Sequence, residues 1–177
     1  MAAGTRSPSS DPFEILGVEP SFEIDLEVLE RRHRELSGKL HPDRYAGSPA
    51  SERREALGRA IEVNEAWRVL KDPISRAQAL LRKRGTLLEE GSEPPASPEF
   101  LMEIMEYREQ LAEVRQSKKR ESLSRLTLEM KKLEAEATRE LAEAFKTDGQ
   151  AIQAKLGRLR YYRRFLDEAA AIEDDLG

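Results

Sequence analysis

The sequence of 177 residues predicts an all-α protein built in two helical parts, and three observations carry that expectation. Apolar residues recur at spacings of three and four through most of the chain, the period of a helix with one buried face. A capping residue followed by proline opens three of these runs, at Asp11-Pro12, Asp72-Pro73 and Ser97-Pro98. Between the two parts, residues 85–98 hold two glycines, three prolines and two serines without a sustained apolar period, which reads as a connector.

Residues 1–10 carry no helical pattern and are expected to form a flexible N-terminus ahead of a first part spanning 11–84. Asp11-Pro12 caps a short helix, Phe13-Glu14-Ile15-Leu16, that Gly17 ends. Asp25 caps a second helix that runs to about Leu40. Its Leu26, Leu29, His33, Leu36 and Leu40 form one buried stripe, with Arg31 and Arg34 on the opposite side. A third helix from about Ser51 to Leu70 lines up Ala56, Ala60, Val63, Trp67 and Leu70, and packs antiparallel against the second. His41 to Pro49 connects the two as a hairpin loop. Asp72-Pro73 then opens a fourth helix using Ile74, Ala77, Leu80 and Leu81, stopped by Arg82-Lys83-Arg84-Gly85.

The second part, 99–177, shows three helical patterns, roughly Glu99 to Gln116, Lys118 to Lys146 and Gly149 to Asp175, which predict an antiparallel three-helix bundle. Its middle helix has a seam of Leu123, Leu126, Met130, Leu133, Ala137, Leu141 and Ala144. The last has Ile152, Leu156, Leu159, Leu166 and Ala170. On the first, Phe100, Ile104, Tyr107, Leu111 and Val114 fall within about a quarter-turn and supply core. Met102, Met105, Glu106, Glu109 and Glu113 cluster on the far side. Two methionines facing water among glutamates have no packing reason to be there; flexible thioethers flanked by charge suit a partner-binding patch.

Composition excludes several function classes. With no cysteine and two histidines, neither disulfides nor a thiolate metal site can form, so metal ligands and cofactors are expected to be none. The net charge of −4 leaves no global field for nucleic acid or an anionic membrane. Up to Arg84 there are 15 basic and 14 acidic side chains, against 15 and 20 beyond it, so the front favours an acidic partner and the rear a basic one. Arg82-Lys83-Arg84 reads as a complement to a helix dipole, His33 as a half-buried packing residue and Trp67 as core. No stretch nears membrane-spanning length and the first residues fit no signal peptide, so a bacterial cytoplasm is expected.

His41-Pro42-Asp43 is the one motif that invites a chemical reading. A hydrolase would use His41 as base and Asp43 as its orienter, but one tight loop supplies neither nucleophile nor oxyanion donors. Catalytic residues are therefore expected to be none, and the protein is not expected to be an enzyme. Proline between the two fixes the backbone and presents both polar side chains outward, which suits docking onto another protein.

Asp11-Pro12-Phe13-Glu14-Ile15-Leu16-Gly17-Val18 resembles the opening of a J-domain, Leu40-His41-Pro42-Asp43-Arg44-Tyr45 its signature loop, and Ile61 to Pro73, with Asn64-Glu65-Ala66-Trp67, its third helix. The run Phe100-Leu101-Met102-Glu103, continuing through Tyr107-Arg108-Glu109 and Leu111, resembles the C-terminal bundle of the HscB type, the J-proteins of iron-sulfur cluster assembly. The glycine and phenylalanine rich segment and zinc modules of general DnaJ-type chaperones do not occur, and His33 stands where an aromatic is common. The resemblance implies that His41, Pro42 and Asp43, with Arg31, Arg34, Lys39 and Arg44, engage an HscA-like or DnaK-type ATPase chaperone and stimulate its ATP hydrolysis. It further implies that Leu101, Met102, Met105, Glu106, Glu109 and Glu113, with an exposed Tyr161 from the last helix, bind the IscU scaffold. The alternative is a general J-protein that delivers unfolded clients.

Overall fold

The computed structural model describes residues 11–86, 96–147 and 151–176; the expected flexible N-terminus 1–10 and most of the expected connector lie outside them. The chain divides into two compact units, Met1–Leu88 and Glu89–Gly177, and the described residues are helical without a strand.

In the first unit Asp11 caps α1 (Pro12–Leu16) by accepting from the Phe13 amide at 3.0 Å. Gly17 closes that helix with φ +63°, a conformation that costs a side-chain-bearing residue about 1 kcal/mol. Phe13 and Leu16 are thereby turned fully into the core against α3 (Ala50–Lys71). Asp25 caps α2 (Leu26–Lys39) through the Glu27 and Val28 amides at 2.9 and 3.1 Å. Asp72 does the same for α4 (Pro73–Lys83) through the Ser75 amide at 2.8 Å. Lys83 near the end of α4 pairs with Asp11 and, at 3.0 Å, with Glu14, so the last helix is tied to the first.

The α2–α3 hairpin forms as the sequence predicts, with adjustments to its seam. Leu29 is buried, but Leu26 is exposed because it sits in the first turn, beyond the end of the stripe. Leu36, Leu40 and Trp67 are half-buried. His33 is half-buried as expected: its ring stacks on Trp67 at 4.8 Å and its Nε2 donates to Asn64 Oδ1 at 2.8 Å. Lys71 Nζ lies 4.5 Å from the centre of the same indole.

Arg76 is buried, which its charge would not predict. It donates to the Leu70 carbonyl at 2.9 Å, one of the acceptors left open at the end of α3, and packs over the Phe22 ring at 5.0 Å. Burial lowers the guanidinium pKa, and Asp72 opposes that fall.

The second unit is the expected three-helix bundle: α5 (Pro98–Ser117), α6 (Arg120–Lys146) and α7 (Ile152–Leu176). Ser97 caps α5 through the Phe100 amide at 3.3 Å. Lys118 adopts the left-handed conformation at φ +54° to end it, so α6 starts at Arg120 rather than at Lys118. The middle seam is buried as predicted, except that Leu133 is half-buried. The α7 seam is corrected: Ile152, Leu156 and Leu159 are buried, but it continues through Tyr162, Phe165, Ala169 and Ile172, leaving Leu166 half-buried and Ala170 exposed. Extending the spacing past Leu159 chose leucine over the bulkier rings, whereas the helix buries the side chains that fill the space between α5 and α6.

α6 and α7 form the closest pair in this unit, reinforced by Arg163 to Glu134 at 2.6 Å and Lys155 to Glu140 at 2.8 Å. α5 meets α7 through rings, with Phe100 edge-on to Tyr161 and Tyr162 at 5.8 and 5.9 Å and Tyr107 edge-on to Phe165 at 6.1 Å.

Two outcomes test this packing. Phe165→Ala should cost about 3–5 kcal/mol in a urea titration and Ala170→Ser less than about 0.5 kcal/mol, the reverse of the ranking set by the sequence pattern. Burial raises the phenol pKa of Tyr107, Tyr161 and Tyr162 above the usual 10.0. Ultraviolet phenolate absorbance should therefore show these three still protonated at the pH that half-ionises a free tyrosine, ionising together only when alkali unfolds the unit.

Candidate protein-binding sites

The loop site is assembled by the hairpin. α2 ends at Lys39, and His41 then caps a 3₁₀ turn, Pro42–Tyr45, by accepting the Asp43 amide on Nδ1 at 3.3 Å. Accepting there leaves the neutral ring's proton on Nε2, the nitrogen that the cap does not use. Asp43 Oδ2 stands 3.4 Å from the same Nδ1, and the two side chains are 60% and 89% exposed. Pro42 supplies a fixed φ at the first position of the turn. The result is a capped turn with an outward-facing imidazole and carboxylate.

The basic residues surround it unevenly. Arg31, Arg34, Lys39 and Arg44 are all exposed. Arg31, Arg34 and Lys39 form no ion pair among the described residues, whereas Arg32 is paired with Glu35 at 3.6 Å. Arg44 reaches back to the Gly38 carbonyl at 3.4 Å and so joins the turn to the end of α2.

The second site is the outer face of α5. Met102 and Met105 are 64% and 62% exposed, Leu101 is 49% exposed, and Glu106, Glu109 and Glu113 are exposed with them. On the inner face Leu111 and Val114 are buried, while Phe100, Ile104 and Tyr107 are half-buried. Tyr107 is held by its hydroxyl, which donates to Glu129 of α6 at 2.9 Å.

Tyr161 corrects the sequence reading. It is 8% exposed, its ring lies against Phe100 and Tyr162, and its hydroxyl donates to the Ile104 carbonyl at 3.4 Å. Rather than presenting an aromatic to solvent, it supports the first turns of α5 and walls a groove of about 620 Å³ between α5 and α7 that also touches Phe100, Ala154 and Gly157. The physical reason is the α5–α7 spacing: helices held apart by rings must place rings between them.

Arg158 beside this groove is a residue the sequence reading missed. Its guanidinium stands over Phe100 at 5.1 Å and donates to the Tyr162 hydroxyl at 3.2 Å. A basic residue one turn before a pair of tyrosines was the available signal.

Among the described residues no grouping of His, Cys, Asp or Glu could hold a metal ion, and no helix is long and apolar enough to cross a membrane. The exposed face of α5 and the exposed loop offer shapes and charges to other proteins.

These features define a J-domain protein with a helical C-terminal unit, and comparison with known proteins agrees. Residues 11–79 match the DnaJ domain family and residues 96–170 match the family described as the HSCB C-terminal oligomerisation domain. Curated relatives named Co-chaperone protein HscB homolog include one from Shewanella halifaxensis, 31% identical over 93% of this chain and 97% of the relative. Another, from Azoarcus sp., is 39% identical over 78% of each. Among solved structures, the chaperone HscB from Vibrio cholerae is 27% identical, with a TM-score of 0.81 over 94% of this chain and 99% of that one. Human co-chaperone protein HscB is 26% identical, with a TM-score of 0.83 over 93% and 83%. The chain belongs to the HscB family of co-chaperones. Its role is accordingly that of an iron-sulfur cluster co-chaperone, as the sequence resemblance implied.

The two classes of α5–α7 residue should separate in stability measurements. Met102→Ala and Met105→Ala should each leave the unfolding free energy from a urea titration within about 0.5 kcal/mol of the wild type, because the side chains already face water. Tyr161→Ala should lose about 3 kcal/mol or more by opening a cavity beneath α5.

Proposed function

We propose that the protein joins two partners: the first unit engages an HscA-like ATPase chaperone and the second holds the IscU scaffold on which clusters are built. The observation that carries this reading is the placement of two unlike exposed surfaces on separate units, a basic one around His41-Pro42-Asp43 and an acidic, methionine-bearing one on α5.

His41, Pro42 and Asp43 act as the trigger. The cap that holds His41 pre-orders the loop, so little conformational entropy is lost when it docks. Arg31, Arg34, Lys39 and Arg44 steer the encounter with an acidic chaperone surface and set its register. ATP is hydrolysed by the chaperone, and this chain contributes no catalytic group.

Leu101, Met102 and Met105 form the apolar centre of the scaffold contact, and Glu106, Glu109 and Glu113 its charged border, selecting a basic partner surface. Methionine adapts its shape at little cost, which suits a scaffold met with and without its cluster. Tyr161 acts beneath this surface by supporting α5. Carrying both partners on one chain raises their effective concentration, so modest affinities at each surface suffice. The bacterial origin of the curated relatives supports action in a bacterial cytoplasm.

Single-turnover ATP hydrolysis by an HscA-type chaperone, with this protein and IscU added separately and together, tests the reading. The pair should stimulate more than either alone. His41→Gln should abolish the stimulation, and Met105→Ala should weaken only the part that depends on IscU, through an IscU affinity lowered about tenfold. Equal stimulation by arbitrary denatured protein in place of IscU would show a general J-protein instead.

A further inference from the structure

Among the described residues of the second unit, the large apolar side chains left in solvent are Leu101, Met102 and Met105 on α5 and Leu128 on α6, the last 57% exposed. At 100° per residue Leu128 lies about 160° to 200° round from the buried Leu126, Met130 and Ala137. It therefore points straight away from the core and is the centre of a separate face.

That face is basic. Between residues 125 and 139 the charged side chains within about 60° of Leu128 are Arg125, Lys131, Lys132 and Arg139. All four are exposed and form no ion pair among the described residues. The neighbouring acids Glu129 and Glu134 turn elsewhere, to the Tyr107 hydroxyl at 2.9 Å and to Arg163 at 2.6 Å. The outer face of α5 has the same make-up with the opposite sign: Met102 and Met105 at its centre, with Glu106, Glu109 and Glu113 exposed and unpaired among the described residues.

The two faces match in length as well as in charge. Arg125 to Arg139 spans about 21 Å of helix and Leu101 to Glu113 about 18 Å. Within one chain they cannot meet, because both helices turn their inner sides to the same core and these faces outward. An apolar centre with a charged border is the make-up of a contact surface, and opposite borders fix which surface answers which. The scaffold is a poor occupant for the α6 face, since the surface it is proposed to offer α5 is basic.

We propose that the α6 face, Leu128 with Arg125, Lys131 and Lys132, docks on the α5 face of a second copy of this chain, so that self-association and scaffold binding exclude one another. The exclusion rests on the reading that α5 holds the scaffold. Two different faces meet, so the contact is heterologous and leaves one face of each kind open at the ends. Copies without scaffold cover the methionines of their neighbours, and the arriving scaffold takes the place of the neighbouring α6.

Sedimentation equilibrium of the full chain tests this. At low salt the average mass should rise with protein concentration, and about 1 M salt, where screening acts within about 3 Å, should return it to the single chain. Lys131→Glu with Lys132→Glu should weaken association about tenfold, as should Leu128→Gln and, on the other face, Glu106→Lys with Glu109→Lys. Mixing the two charge variants should restore it, because the unaltered α5 of one meets the unaltered α6 of the other. IscU should disperse the wild-type assemblies, and Lys131→Glu with Lys132→Glu should bind IscU in full. A chain that stays single at low salt, or association that neither charge pair nor Leu128→Gln weakens, overturns the proposal. Unchanged mass with weakened chaperone stimulation in Lys131→Glu with Lys132→Glu overturns it in favour of the chaperone as occupant. Association that needs both faces yet persists with IscU bound supports the contact between copies and overturns the placement of the scaffold on α5.

Discussion

The hydrogen bond from His33 to Asn64, with the His33 ring stacked on Trp67, sets the register on which the first unit depends. Its energy is modest, about 1 kcal/mol for a bond at a partly exposed site. Its geometric consequence is larger, because an antiparallel hairpin has one connecting loop and the register determines how much chain that loop must span. With His33 beside Asn64, α2 ends at Lys39 and α3 begins at Ala50, leaving space for a 3₁₀ turn capped by His41. The outward presentation of His41 and Asp43 is thus a product of helix packing several turns away.

The second unit solves a different problem, that of keeping an apolar face exposed without collapse. A methionine and leucine surface in water tends to be buried by its own protein or by another copy. Here Phe100 and Tyr107 on the inner side of α5 meet Tyr161, Tyr162 and Phe165 on α7, and these rings occupy the volume that the outer side chains would otherwise seek. The face proposed to bind the scaffold therefore stays exposed on a packed helix, and Arg158 over Phe100 braces the end of α5 where Leu101 and Met102 emerge.

The proposed trigger and cargo surfaces lie on separate units, so each follows its own physics. In the proposed function the loop contributes orientation, and a cap and a proline order its backbone for that. The α5 face, in the same proposal, meets a partner in more than one state, and its thioethers supply the adaptability that this requires. A single compact core would have to compromise between the two.

Local chemistry was legible from the sequence because it acts over a few residues. Asp11, Asp25, Asp72 and Ser97 cap helices where the amide donors demand an acceptor, and the periods of α2, α3, α5 and α6 identify their buried faces. The exposure of Met102 and Met105 and the outward loop follow from the same short-range rules. Tertiary structure alone decided matters that depend on what fills the space between elements. It turned Tyr161 inward, moved the α7 seam from Leu166 and Ala170 to Phe165 and Ala169, and buried Arg76 against the Leu70 carbonyl. It also left Leu57 and Ile61 in solvent. Periodicity states which side chains share a face, but the width of the gap that the face meets is set by the partner helices, and that width selects a ring, a leucine or water.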